Sequence, residues 1–171
     1  MKKILSAVLM TALLLTLAAS ALAATGVGST TAVSAAAATA DAAGSVTVTT
    51  TVCAVTLDDE GKIAAVAFDM VESKAGFDAA GAIAGEVNAA PQTKAELGEA
   101  YGMKAISPIG KEWNEQMDAL AAWCVGKTPA EVLGMAFGEN GKPTDADLIA
   151  GCTIYINDQL KALEKAVAAA K

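Results

Sequence analysis

Two periodicities divide this chain, and few folds accommodate them in the order in which they occur. Val46 to Leu57, VTVTTTVCAVTL, is rich in β-branched residues and roughly alternating; Asp58-Asp59-Glu60-Gly61 supplies a turn, and KIAAVAFDMV from Lys62 to Val71 alternates again. Period-two alternation on both sides of an acidic-Gly turn reads as a β-hairpin. A shorter extended segment, 75–83, carries its own turn at Asp78 to Gly81, and a place beside the hairpin is open to it. Beyond a Gly/Pro-containing connection the period becomes helical, and no strand-helix-strand alternation follows. Strands first and helices later define an α+β class: an antiparallel hairpin or small sheet packed with several short helices and a C-terminal helix.

The helical half is punctuated by start signals. Thr93-Lys94-Ala95-Glu96 is a capping box opening a short helix that should stop near Gly102. Ser107 before Pro108 offers an N-cap and a first-turn proline for a long central helix reaching about Val125, with Ile109, Trp113, Met117, Leu120 and Cys124 on one face. Thr128-Pro129-Ala130-Glu131 repeats the device for a third helix ending near Gly138. Ile156, Leu160, Leu163 and Val167 trace an apolar stripe that predicts a terminal helix from about Asn157, although Thr153-Ile154-Tyr155-Ile156 has strand propensity.

Upstream of the hairpin the composition changes twice. Residues 1–23 start with Lys2 and Lys3, continue through an apolar run from Ile4 to Ala19 and end in Ala21-Leu22-Ala23. A basic start, a short apolar stretch and a small-x-small end are the marks of an export signal, so the mature chain is expected outside the cytoplasm with no stable membrane insertion. Leu17-Ala18-Ala19-Ser20 has the form of a lipoprotein signal, but Ser20 stands where the lipid-bearing cysteine would be. Residues 24–45 are Ala/Ser/Thr/Gly low complexity, expected to form a flexible linker. One folded domain over 46–171 is then the expectation.

Missing residue types exclude more chemistry than any motif suggests. The chain has no His and no Arg. Ser-His-Asp and Cys-His catalysis and imidazole metal sites are therefore excluded, as is a bidentate arginine clamp on phosphate. The formal net charge is −7, and loss of the two leader lysines would make it more negative, which argues against nucleic acid as a partner. Cys53, Cys124 and Cys152 fit no metal spacing; their apolar neighbours favour small buried hydrophobes. Conventional enzyme chemistry has little to work with, and an electron carrier or binding protein suits the chain better.

Other local signals have plain structural readings. Asp58-Asp59-Glu60 lacks the length and spacing of an EF-hand loop. The Gly-Lys pairs at 61, 110, 126 and 141 follow no strand with the two-glycine spacing of a phosphate loop. Trp113, Trp123 and Tyr101 are aromatic enough to stack on a planar ring, but Trp113 falls on the apolar face of its helix and is expected in the core. Glu112, Glu115 and Asp118 are expected on the solvated face.

The segment TDADLIAGCT, Thr144 to Thr153, is the one stretch with a cofactor-like pattern. Asp147, Gly151 and Thr153 have the spacing, and DLIAGCTIYINDQLKALEKAV as a whole resembles the end of the bacterial FMN-binding domain family, whose approximate motif D-x-x-S-G-A-T precedes a helix with Ala, Val and Leu on its apolar positions. The hairpin around its acidic-Gly-Lys-Ile turn is similar to that family's first strands, and the stretch from Glu96 to Val132 is similar to Gram-positive envelope lipoproteins associated with such flavoproteins. The resemblance implies FMN joined to Thr153 through a phosphoester made by a separate flavin transferase, with Asp147 and Gly151 completing the cofactor-binding site, and an exported protein that relays electrons between envelope redox partners. Ala150 and Cys152 depart from the motif, as do Tyr155 and Ile156 after it. Helix capping accounts equally for the first part of the segment, with Thr144 as N-cap, Asp147 at the third helical position and Gly151 as the stop. A flavin-free envelope module of related fold, binding a partner or small ligand, is the alternative.

Overall fold

A computed structural model of the chain describes residues 23–85, 87, 88, 91–138 and 141–171. The leader expected over residues 1–23 lies outside them except for Ala23. Three long strands, β1 (Ala24–Ala36), β2 (Gly44–Leu57) and β3 (Ile63–Phe77), form an antiparallel sheet in the order β1-β2-β3. Five α-helices follow among the described residues: α1 (Lys94–Leu97), α2 (Trp113–Cys124), α3 (Pro129–Leu133), α4 (Ala146–Ile149) and α5 (Asn157–Ala169), with two short 3₁₀ turns between α1 and α2. The architecture is α+β, as the order of the periodicities requires.

The expected hairpin is β2-β3. Asp58 builds its turn, with Oδ1 accepting from the N–H groups of Glu60 and Lys62 at 3.0 and 2.8 Å, and Gly61 takes a φ of 75°, which a side chain would resist. Asp78 and Gly81 repeat this arrangement at the far end of β3, where Phe77 bridges Ile83. The linker expectation for residues 24–45 is corrected over its first half. Ala24–Ala36 is a strand in unbroken register with β2, from Ala24↔Leu57 to Ala36↔Ser45. Its small residues suggest a tether only when local composition is considered alone; beside β2 they complete a ladder and allow close approach of a helix.

That helix is α5, which packs across β1 and β2. Gly26 and Gly28 are buried beneath it, and a Cβ at Gly26 would collide with the carbonyl of Ala166, one at Gly28 with the carbonyl of Ala162. Helix backbone therefore rests almost directly on strand backbone. On the β3 side of the sheet lies α2. The core between layers joins Cys53, Val55, Ile63 and Phe68 of the sheet to Trp113, Met117, Leu120 and Cys124 of α2 and to Ile156, Leu160, Leu163 and Ala166 around α5. Each large side chain removed from water contributes roughly 1.5–3 kcal/mol.

Several helix limits differ from expectation. The capping box at Thr93 is present, with Thr93 Oγ1 accepting from Glu96 N–H, and that at Thr128 opens α3 as expected. But α2 begins at Trp113, not near Pro108. Ser107 to Gly110 closes a turn in which Gly110 has φ of 62°, and the helix starts where Glu112 N–H finds Glu115 Oε2 at 2.7 Å. Ile109 thus lies outside the helix. Glu112 is buried rather than solvated, its two carboxylate oxygens accepting from Met103 and Lys104 N–H at 2.8 and 3.1 Å. The third helix ends at Leu133, before the expected Gly138, and α5 begins at Asn157 as its stripe indicates.

Candidate functional site

The segment singled out by the motif forms a helix, a turn and a helix start. Asp145, not Thr144, is the N-cap of α4: Asp145 Oδ1 accepts from Asp147 and Leu148 N–H, both at 3.0 Å. The same oxygen accepts from Trp123 Nε1 at 3.0 Å. The bond from Leu148 N–H, then that from Trp123, holds the Asp145 carboxyl below its ordinary range. Thr144 instead donates its hydroxyl to the carbonyl of Ala136 at 3.1 Å. A carboxylate is the better cap here because its charge also faces the helix N-terminus.

Asp147, Gly151 and Thr153 do not converge. Asp147 is an exposed first-turn residue at the second helical position, not the third. Gly151 closes the helix by donating to the Leu148 carbonyl at 2.9 Å. It is buried against α2, where an added Cβ would sit 2.5 Å from Ala119 Cβ and 3.7 Å from Lys111 Nζ. Close packing of the turn on α2 thus accounts for the glycine. Cys152 is fully buried, and burial, the dominant cause, raises its thiol above the ordinary value.

Thr153 lies in neither strand nor helix, in the connection between α4 and α5. Its N–H donates to Gln116 Oε1 at 3.0 Å. Gln116, completely buried on α2, directs its Nε2 to the Lys111 carbonyl at 3.3 Å, Ser107 Oγ at 3.4 Å and Met103 Sδ at 3.5 Å. One amide thereby ties the Thr153 turn to the loop before α2. Sequence reasoning passed over Gln116, because a Gln on an amphipathic helix carries no mark of burial. The Thr153 hydroxyl is itself enclosed and has no hydrogen-bond partner, although the residue as a whole is half-buried.

The aromatic candidates are engaged structurally. Trp113 is in the core, as expected, with Lys94 Nζ 5.8 Å from its ring centre and 4.7 Å from that of Tyr101. Lys127 stands 4.1 Å over Trp123, at a separation typical of a cation–π contact. Of the surface grooves, one of about 550 Å³ lies along distal β3, lined by Lys74, Gly76, Ala84, Val87 and Asn88, and one of about 390 Å³ is bordered by Glu72, Lys94 and Tyr101. Neither is lined by Thr153. Among the described residues no group of three or more His, Cys, Asp or Glu side chains is placed to hold a metal ion, and no helix is long and apolar enough to cross a membrane.

Fold and site together define a small α+β domain in which, among the described residues, the Thr153 hydroxyl in the turn before the terminal helix is one of four buried side-chain polar atoms without a partner, with Asn114 Oδ1, Asn157 Oδ1 and Gln159 Oε1. The chain is similar to a chlorophenol reductase from Desulfitobacterium hafniense, with 37% identity over 121 residues, covering 57% of this chain and 37% of the relative. It thus spans little more than a third of the length of the curated protein it matches. No family model matches the chain, and no solved structure matches it.

Proposed function

We propose that this chain is a redox module of the cell envelope in which Thr153 carries FMN as a phosphoester, relaying electrons without substrate chemistry of its own. The observation that carries the proposal is the Thr153 hydroxyl, unpartnered in a turn whose backbone is otherwise pinned. A buried hydroxyl normally finds a partner, so an orphan calls for an explanation. The reductase name of the similar protein points in the same direction. When bound, a flavin supplies one- and two-electron chemistry, and the protein supplies position and electrostatics.

The residues present fit such an anchor. Gln116 fixes the Thr153 N–H, so attachment can proceed without loss of the turn. Lys111, whose Nζ lies close to Gly151, offers the positive charge that a phosphoester needs in a chain without arginine. Cys152, next to Thr153, stays a protonated, buried thiol and does not compete as a nucleophile. Attachment requires the enclosed hydroxyl to become accessible to a transferase. The transferase and the envelope redox partners belong to the proposal, as does export through the leader.

The test is intact mass and visible flavin absorbance of protein co-expressed with a flavin transferase. A flavin adduct on the native chain, abolished in Thr153→Ala, is expected; an unmodified, colourless native chain overturns the proposal. The same enclosed hydroxyl favours a second reading, a flavin-free module that binds a partner or small ligand. Under that reading Thr153→Ala changes the mass only by the difference between the two side chains and leaves the colour unaltered, because neither the native chain nor the variant acquires the cofactor.

A further inference from the structure

Two faces of α5 are in use. Ala162 and Ala166 rest on the sheet over Gly28 and Gly26. Asn157, Leu160, Lys161 and Glu164, at the i, i+3, i+4, i+7 spacing of one helix face, instead line a surface groove of about 300 Å³. Leu133, the last residue of α3, and Phe137 complete its lining. A small hairpin positions Phe137, which bridges Pro143, while Gly138 N–H donates to the Lys142 carbonyl at 3.0 Å. Phe137 nonetheless keeps 37% of its surface in water, and a bound ring would remove that exposure.

The lining sets three conditions on a ligand. Leu133, Phe137 and Leu160 offer an apolar surface with one aromatic face, which suits a flat body. The rim carries one cation, Lys161, and one carboxylate, Glu164, and Lys161 is already paired with Asp158 at 3.2 Å, so a neutral ligand is favoured over an ion. Asn157 supplies the polar wall: its Nδ2 donates to the Tyr155 hydroxyl at 2.9 Å, while its Oδ1 is enclosed without a partner. An acceptor of that kind lacks a donor. The volume lies at the lower end for small-molecule pockets, room for one fused ring system rather than a dinucleotide.

We propose that this groove seats the isoalloxazine ring of the flavin, an inference that rests on the reading of Thr153 as the point of attachment. The oxidised ring is flat, neutral and apolar over both faces, and it carries an N–H donor between two carbonyls. Phe137 offers it an aromatic face, Leu133 and Leu160 an apolar floor, and Asn157 an acceptor. Thr153 and Asn157 are separated by at most about 14 Å of chain, a span within reach of the ribityl arm and ring together. The two larger grooves lie along β3 and beside α1, bordered by Lys74 or by Glu72 and Lys94, whereas the Thr153 turn leads directly into α5.

Riboflavin has no phosphate through which to be attached, so titrating the purified, unflavinylated chain into it tests the groove alone. Riboflavin fluorescence anisotropy should rise with a Kd on the order of 100 μM. Phe137→Ala should raise that Kd about fivefold, and Leu133→Trp, which fills the groove, should abolish binding. Native circular dichroism of both variants separates lost binding from lost fold. In the chain flavinylated at Thr153 the same two variants should leave the mass adduct in place and lower the anisotropy of the attached flavin. Riboflavin that stays free at about 1 mM chain, or that binds both variants as it binds the native chain, overturns the proposal even where Thr153 carries flavin. Binding that is lost in Leu133→Trp, on a chain that never acquires the adduct, upholds the groove and overturns only the covalent anchor.

Discussion

Gln116 holds more of the candidate site together than any residue of the motif does. Its amide oxygen accepts from Thr153 N–H, and its amide nitrogen faces Ser107, Lys111 and Met103. Replacing it with Leu keeps the volume but leaves the Thr153 N–H without its partner, a cost of about 1–3 kcal/mol. Urea unfolding of Gln116→Leu should show a loss of that size with little change in m-value. A variant as stable as the native chain would show that another group takes up the bond. Gly151 has a packing role against Ala119, and Asp147 stands exposed in the first turn of α4. Of the three residues that suggested a cofactor, Thr153 alone keeps an unexplained polar atom.

At the scale of elements, β1 departs furthest from expectation. As a tether it would be dispensable; as a strand it supplies the surface on which α5 rests, through Gly26 and Gly28. A chain beginning at Ser45 should therefore lose cooperative thermal unfolding and expose apolar surface to a hydrophobic dye. Retention of a sharp transition in that shortened chain would restore the tether reading. The elements legible in the sequence were those with a strong local signal: the β2-β3 hairpin, the Thr93 and Thr128 caps, and the stripe of α5. The early start assigned to α2 failed because Ser107-Pro108 is a good cap locally, whereas the left-handed Gly110 and the buried Glu112 carboxylate place the first turn later.

Across the whole molecule, the three cysteines act as core residues rather than as chemistry. All are fully buried and free. Burial first, with a lesser contribution from neighbouring Cys124, pushes the Cys53 thiol up to about 12, and burial does the same for Cys124. An unfolded chain ionises these thiols near 9, so between that value and about 12 unfolding releases protons that the folded core retains. Their contribution to stability is fully present below pH 9 and is lost as pH rises towards 12. Denaturant midpoints measured across the alkaline range should fall accordingly, and Cys53→Ala with Cys124→Ala should flatten that limb. Alkylation at pH 8 should modify none of the three thiols until the chain unfolds; rapid labelling of the native protein would contradict the buried assignment.

By itself the sequence determined the α+β class, the hairpin, the cap-initiated helices and the absence of imidazole and guanidinium chemistry, because these follow from local periodicity, turn chemistry and composition. Only the tertiary structure decided that the low-complexity stretch is a strand, that Glu112 and Gln116 are buried, and that the Thr153 hydroxyl is enclosed without a partner. Each of those depends on what packs against the residue from distant parts of the chain. Alternating small residues acquire a structure only when β2 and α5 are beside them.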